Sequence, residues 1–262
     1  MKKKVSLTID SKVLNEADSL IDGIRIRNRS QSIEFLLRKV LAENRTAVIL
    51  AGGPEERLKI NGTLKPLVKV KNRTVIENAI EQLKKYKFSN IFIVGRKSVL
   101  SEIFKVIGDG SSYDIKINYI EEMGERPVTT QDSARTLKLL KKRINTTFMC
   151  MYCDILFDYD LDAAWNYHNS NRSVATNLLK TTEVPRKWGV VKVNGSRIVE
   201  FVEKPKKVES YLVYTGIFIA EPDIFDVPGN SLEYEIFPKL AKNEKLNGYI
   251  CSGESRHIHD KN

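Results

Sequence analysis

Cysteine is scarce: the 262 residues hold only Cys150, Cys153 and Cys251. An odd, sparse set excludes a disulfide framework and suits a reducing compartment. Cys150 and Cys153 have the spacing of a redox or zinc pair. They lie, however, in Thr147-Phe148-Met149-Cys150-Met151-Tyr152-Cys153, which reads as a strand, and residues three apart on a strand face opposite ways. They read as small buried residues. Histidine is equally rare, so only Cys251, His257 and His259 suggest a metal group, and no second ligand pair completes one. No apolar run reaches the ~18 residues needed to span a bilayer. Met1-Lys2-Lys3-Lys4 leads straight into alternation with no signal-peptide apolar stretch. There is no internal repeat and no low-complexity tract. A soluble, cytoplasmic protein is the expectation.

What the chain does have is charge and a core. It is 42% hydrophobic, enough to bury an interior, with a formal net charge of +10. The positive excess hints at polyanionic partners. Residues 1–45 carry ten Lys and Arg against six Asp and Glu, while the remaining 217 residues carry 33 against 27. The leader is therefore richer in positive charge per residue.

That leader reads as its own module, residues 1–44, ahead of a body over 45–262. Lys4-Val5-Ser6-Leu7-Thr8-Ile9 alternates with period two, as a half-buried strand does. Asp10 is placed to cap a helix carrying Val13, Leu14, Ala17, Leu20 and Ile21, with Gly23 as its stop. A second helix opens at Asn28, with Gln31 in capping-box spacing and an apolar stripe of Ile33, Leu36, Leu37, Val40 and Leu41. Asp18 and Asp22 are expected to face solvent. One strand and two helices in about 45 residues cannot make a stable core alone. A lone strand also leaves two open edges. Pairing with the same strand of a second chain answers both needs.

From Lys3 to Ala42 this β-α-α segment resembles the ribbon-helix-helix DNA-binding family. The resemblance implies a homodimer whose paired strands enter the major groove of double-stranded DNA. Lys4, Ser6 and Thr8 would then meet base edges, and a DNA phosphate would sit at Asn28, Arg29 and Ser30, at the N-terminus of the second helix. The alternative is a dimerisation clip that touches no nucleic acid.

In the body, strand-like and helix-like stretches alternate: strands at Ala47–Ala51, 90–94, 115–120 and 147–152, and helices at 74–83, 99–107, 131–141 and 161–168. The fold class expected is α/β, a Rossmann-like, mostly parallel mixed sheet with helices on both faces. Ligands of such sheets sit at the carboxyl ends of the strands. After residue 172 the pattern turns to strands, at 188–193, 197–202 and 211–220, which can close over a pocket. The apolar run Ala47-Val48-Ile49-Leu50 breaks into Ala51-Gly52-Gly53, with Arg57 and Lys65-Pro66-Leu67 following. A strand ending in a double glycine lets amide N–H groups approach phosphates, and a nearby Arg and Lys steady the charge of phosphoryl transfer. Asp154 ends its strand where a carboxylate can hold Mg2+ against a triphosphate. Lys204, in Glu203-Lys204-Pro205, can reach an anionic substrate from the rim.

In order, these pieces resemble the sugar-phosphate nucleotidyltransferases, the nucleoside-diphosphate-sugar pyrophosphorylases, from about Thr46 to His259. Leu50-Ala51-Gly52-Gly53 with Arg57, Lys65-Pro66-Leu67, Asp154 before Ile155-Leu156-Phe157, Phe201 with Glu203-Lys204-Pro205, and Tyr214-Thr215-Gly216-Ile217-Phe218 carry the likeness. It implies that a sugar 1-phosphate attacks the α-phosphate of an NTP and releases pyrophosphate, a step of nucleotide-sugar biosynthesis. Arg57 and Lys65 would be catalytic. Leu50, Ala51, Gly52, Gly53 and Thr130 would bind the nucleotide. Glu203, Lys204, Thr215 and Gly216 would bind the sugar phosphate, and Asp154 and Asp260 would ligate Mg2+.

The chain departs from that pattern. Glu55-Glu56 replaces Gly-Thr before the Arg, and two carboxylates there should repel a triphosphate. The base-seating stretch appears only as Thr129-Thr130-Gln131-Asp132. Cys153 stands where a Gly precedes the metal Asp. Near the C-terminus a His occupies the place of the second metal carboxylate, Asp260 matches only after a shift, and the chain stops soon after. Two functions stay open. One is a nucleotidyltransferase whose DNA-binding leader links sugar activation to transcription. The other is a catalytically impaired body that senses a nucleotide-sugar for a ribbon-helix-helix regulator.

Overall fold

In the computed structural model, residues 4–42, 44–122, 132–171 and 173–258 are described. The chain divides into two compact units, Met1–Asn44 and Arg45–Asn262.

In the first unit, α1 (Ser11–Asp18) is capped by Asp10, whose carboxylate accepts from the Lys12 N–H at 2.8 Å. At Asn28 begins α2 (Arg29–Ala42); the Asn28 side chain accepts from the Gln31 N–H at 3.0 Å. Gln31 reaches back one residue past the cap, to the Arg27 N–H at 2.7 Å. Between the helices, the Asp22 carboxylate accepts from the N–H groups of Ile24, Arg25 and Ile26. These bonds hold Asp22 below the usual carboxylate range. Asp18 takes a two-pronged bond from Arg29, at 2.8 and 2.6 Å. Asp22 is exposed and Asp18 partly so, as expected, and both are hydrogen-bonded within the unit. Ser32 Oγ donates to the Ala17 carbonyl, and these are the buried positions among the unit's described residues. The expected strand is absent: Lys4–Asp10 has neither helix nor ladder, and Val5 and Leu7 are 73% and 61% exposed. A strand exists through its pairing, and a single chain supplies no partner here.

In chain order the second unit contains β1 (Arg45–Ala51), α3 (Val75–Lys85), β2 (Phe88–Gly95), α4 (Lys97–Ile107), β3 (Lys116–Glu121) and α5 (Ser133–Lys138). Then come β4 (Phe148–Tyr152), β5 (Ile155–Phe157), α6 (Leu161–Asn171), β6 (Ala175–Thr181), β7 (Gly189–Asn194) and β8 (Arg197–Glu203). The unit ends with β9 (Leu212–Ala220), α7 (Phe237–Lys242), β10 (Leu246–Ile250) and β11 (Ser255–His257). Nine strands form one mixed sheet in the order β6-β10-β8-β7-β9-β4-β1-β2-β3, and β6 also pairs with β9. From β4 through β1 and β2 to β3 every neighbour is parallel. The strand β9 then runs antiparallel to β4, with Ile217 opposite Met151, and β6 antiparallel to β9. The β7–β8 hairpin joins its neighbours by single pairs, Val190 with Val213 and Arg197 with Asn247.

The sheet separates two cores. Every residue of β1 is buried. Ala47, Ile49 and Ala51 join the core under α3, α4 and α6, whereas Val48 and Leu50 join the core that includes Leu137, Phe237 and Leu240 of α5 and α7. A strand buried on both faces reads as a continuous apolar run, which is why Ala47–Leu50 stands out. In α3, Thr74 and Glu77 close a capping box and Val75, Ile76, Ala79, Ile80 and Leu83 form the buried face. Each large aliphatic buried there stabilises the fold by about 1.5–3 kcal/mol. Because β9 is reversed, its early residues Thr215 and Gly216 meet the carboxyl ends of β1 and β4 at one rim. That rim positions everything that follows.

Candidate active site

A cavity of about 320 Å³ opens at this rim. From the residues singled out by sequence, Leu50, Gly52, Gly53, Arg57, Asp154, Glu203 and Lys204 line it. The β1 turn forms its first wall. Gly53 has φ +102°, a backbone other residues rarely adopt. A Cβ on Gly52 would lie 2.9 Å from Glu122 Oε2 and 3.1 Å from Thr136. Thr136 in turn donates to Glu122 Oε1 at 2.7 Å. The loop is therefore packed against Glu122 and Thr136 on the Gly52 side, and both glycines line the cavity. Arg57 follows in a short 3-10 turn, Glu55–Leu58, and is exposed. The Glu55 carboxylate accepts from Lys59 at 2.6 Å and Ser98 at 2.9 Å, which hold it below its usual range.

The second wall is the end of β4. Asp154 faces Lys65 Nζ at 3.6 Å through Oδ2 and His257 Nδ1 at 3.9 Å through Oδ1. Lys65, Asp154 and His257 side chains are 14%, 16% and 13% exposed, so their charges are poorly screened. Burial pushes His257 down, and Asp154 opposes that push. His257 Nε2 donates to the Thr215 carbonyl at 2.9 Å, and its ring meets the edge of Trp188 at 4.7 Å. Lys180 lies 4.4 Å over the Trp188 ring and donates to the Ser255 carbonyl, and burial lowers it.

The third wall carries two acids. Glu203, 12% exposed, stands 3.6 Å from Lys204 Nζ. Burial, then the neighbouring Glu233, push Glu203 up to about 7. Glu233 accepts from the Tyr152 hydroxyl and from Ser133 Oγ at 2.8 Å. It sits in a π-helical turn, Leu232–Ile236. Such turns recur at functional sites.

Other positions singled out by sequence fall elsewhere. Ala51 is wholly buried in the core. Thr215 is also fully buried and its hydroxyl donates to the Leu178 carbonyl, so only its carbonyl serves the site. Gly216 lies behind His257. Thr130 and Asp260 lie outside the described residues. Sequence reasoning missed Glu233, Tyr152, Ser133 and Thr136 as wall residues; Glu233 alone left a trace, an acid just after Ser231 at a helix start. Among the described residues no three His, Cys, Asp or Glu side chains converge as a closed metal site. No helix among them is long and apolar enough to cross a membrane.

Comparison with known proteins places this geometry. A family model described as nucleotidyl transferase matches residues 46–253. A mannose-1-phosphate guanyltransferase of Yarrowia lipolytica is 30% identical over 215 residues, covering 79% of this chain and 58% of that protein. A UTP–glucose-1-phosphate uridylyltransferase of Synechocystis is 31% identical over 213 residues, covering 74% and 55%. The chain thus spans little more than half the length of these relatives. Among solved structures, a Bacillus anthracis protein assigned as a glucose-1-phosphate thymidylyltransferase and crystallised with sucrose superposes with a TM-score of 0.72. It is 23% identical, over 81% of this chain and 89% of that one. At that identity the likeness shows a shared α/β fold.

Proposed function

The chain belongs to the nucleotidyl transferase family, and from that premise we propose that its body joins a sugar 1-phosphate to a nucleotide drawn from an NTP, with release of pyrophosphate. The observation that carries the reading is the convergence of the Gly52-Gly53 turn, Arg57, the Lys65–Asp154 pair and Glu203-Lys204 on one cavity. The glycine turn offers N–H groups to the phosphates. Arg57 and Lys65 stabilise the charge that builds on the α-phosphate and the leaving pyrophosphate. Lys204 holds the phosphate of the sugar, and Glu203 and Glu233 offer acceptors to sugar hydroxyls. No general base is required, because the attacking phosphate oxygen is already anionic; positioning supplies much of the acceleration.

The donor chemistry of Asp154 suits a divalent cation, Mg2+ on the sequence reading. Its two oxygens face neighbours at 3.6 and 3.9 Å, longer than hydrogen bonds. When bound, such an ion neutralises triphosphate charge.

The leader, in this reading, is a ribbon-helix-helix module. Residues 4–9 pair with those of a second copy, Lys4, Ser6 and Thr8 meet base edges, and Asn28 and Ser30 seat a phosphate. Arg29 is less available, being held by Asp18. The support is a small unit that leaves Val5, Leu7, Leu37 and Val40 exposed, apolar side chains that a second copy would cover. The body would then tie sugar activation to transcription. Pyrophosphate release from a panel of sugar 1-phosphates and NTPs tests the enzyme. Turnover with at least one pair, lost in Lys65→Ala, is the expected result. No turnover with any pair, alongside nucleotide-sugar binding, would replace it with the sensor.

A further inference from the structure

We propose that His257 is a protein ligand, beside Asp154, of the metal this site takes, and that the mixed nitrogen and oxygen pair selects Mn2+ or Co2+ over Mg2+. The proposal rests on the nucleotidyl-transfer reading above and settles on His257, in the stretch where a His stands at the place of the second metal carboxylate, rather than on Asp260.

Four observations carry it. First, the backbone fixes the two side chains together. His257 pairs with Ile155, the residue after Asp154, across β5 and β11. The Ile258 N–H donates to the Asp154 carbonyl at 2.9 Å. Second, the ring is oriented. With Nε2 donating to the Thr215 carbonyl at 2.9 Å, the nitrogen that offers a lone pair is Nδ1, the one facing Asp154. A far-side N–H on a backbone carbonyl is the usual way a ligating histidine is held. Third, the ring's place is reserved. A Cβ on Gly216 would come within 3.0 Å of His257 Cε1, so a side chain there would push the imidazole aside. Fourth, Nδ1 and Oδ1 are 3.9 Å apart. Donors about 2.1 Å from an octahedral ion stand about 3.0 Å apart when adjacent and about 4.2 Å apart when opposite, so a contraction of under about 1 Å lets the pair share a cation. Lys65 approaches the other oxygen, Oδ2, and leaves Oδ1 to the ion.

Two protein donors leave the other positions to water and phosphate oxygens, as expected for an ion that bridges protein and triphosphate. The chemistry then sets the preference. Mg2+ is a hard ion that favours oxygen, whereas imidazole strengthens binding of later first-row ions. Replacing a carboxylate by a neutral ring also removes one negative charge from the site, which weakens Mg2+ further.

Mn2+ bound to the full-length protein, alone and with GTP or UTP, is examined by pulsed electron paramagnetic resonance. Mg2+ and Mn2+ affinities are measured in parallel by calorimetry, along with nucleotide binding. The expected result is 14N coupling from a directly bound imidazole, lost in His257→Asp and in His257→Gln. The ratio of Mg2+ to Mn2+ dissociation constants should fall about tenfold in His257→Asp. Bound Mn2+ without 14N coupling in the unaltered protein overturns the assignment of His257 and leaves the nucleotide reading standing, whatever the variants do. Absence of both metal and nucleotide binding overturns that reading as well.

Discussion

Replacing Glu203 by Gln should make the protein more stable at pH 8 and leave it unchanged near pH 4.5. Glu203 ends β8 with its carboxylate against the backbone: a Cβ on Gly189 would meet Oε2 at 3.0 Å. The nearest cation, Lys204, is 3.6 Å away and 58% exposed, too distant and too wet to compensate for burial. The carboxyl accordingly ionises at about 7 when folded, against 4.5 ordinarily. At about 1.4 kcal/mol per pH unit, the ionised form costs up to about 3 kcal/mol. The direction follows from linkage. Between the two values the folded chain holds a proton that the unfolded chain has released. Stability from this group is therefore complete below 4.5 and lost as pH rises through 7. Gln keeps the shape and never ionises. Urea unfolding, followed by the fluorescence of Trp165 and Trp188, should show the variant about 2–3 kcal/mol more stable at pH 8 and within about 0.5 kcal/mol at pH 4.5. Glu233→Gln should move the wild-type midpoint downward, because Glu233 is the second cause of the shift. Parallel pH profiles for Glu203→Gln and wild type would refute the reasoning.

Arg57→Ala and Lys65→Ala should each lower kcat by roughly 10²–10³-fold with an unchanged circular dichroism spectrum; loss confined to KM would mean they only bind. Gly52→Ala should weaken nucleotide binding in calorimetry, and Glu122→Ala in that background should recover part of it, since the new methyl meets the Glu122 carboxylate. Lys204 has φ +46°, so Lys204→Gly should stabilise the fold by about 1 kcal/mol in urea unfolding while weakening sugar-phosphate binding. In the leader, changing Lys4, Ser6 and Thr8 together to Ala should weaken operator binding in a gel-shift assay and spare the dimer, whereas Val5→Asp with Leu7→Asp should dissociate the dimer in analytical ultracentrifugation.

Several of these features were open to sequence reasoning for physical reasons. Thr74 with Glu77, followed by apolar residues at helical spacing, announces α3. Ala47–Leu50 could only be a strand buried on both faces, and Gly52-Gly53 marks where it turns. Arg57, Asp154 and Lys204 lie near strand ends, and strand ends meet at a rim. The misses share a cause. Asn177 and Thr176 interrupt β6, and Leu246-Asn247-Gly248 opens β10, so neither shows a period or a clean apolar run. Partners distant in sequence were invisible: Asp18 with Arg29, and Tyr152 with Glu233. The pairing of Glu55 with Lys59 went unread although the two stand four residues apart, a spacing that pairs charges on a helical turn. His257 lay in the stretch where a His takes the place of the second metal carboxylate, but its proximity to Asp154 is made by a two-strand ladder that local pattern does not encode.

The reversal of β9 separates the pocket's two inheritances. One side is written before residue 158, by the parallel strands and the turns that end them. The other is written after residue 175, by strands that return against the first. On the proposed reading, a lineage could redraw the acceptor side by changing the later segment alone while the pyrophosphate grip stayed as it is. Diversification of the sugar, without loss of the donor triphosphate, is the evolutionary path that this chain order would leave open.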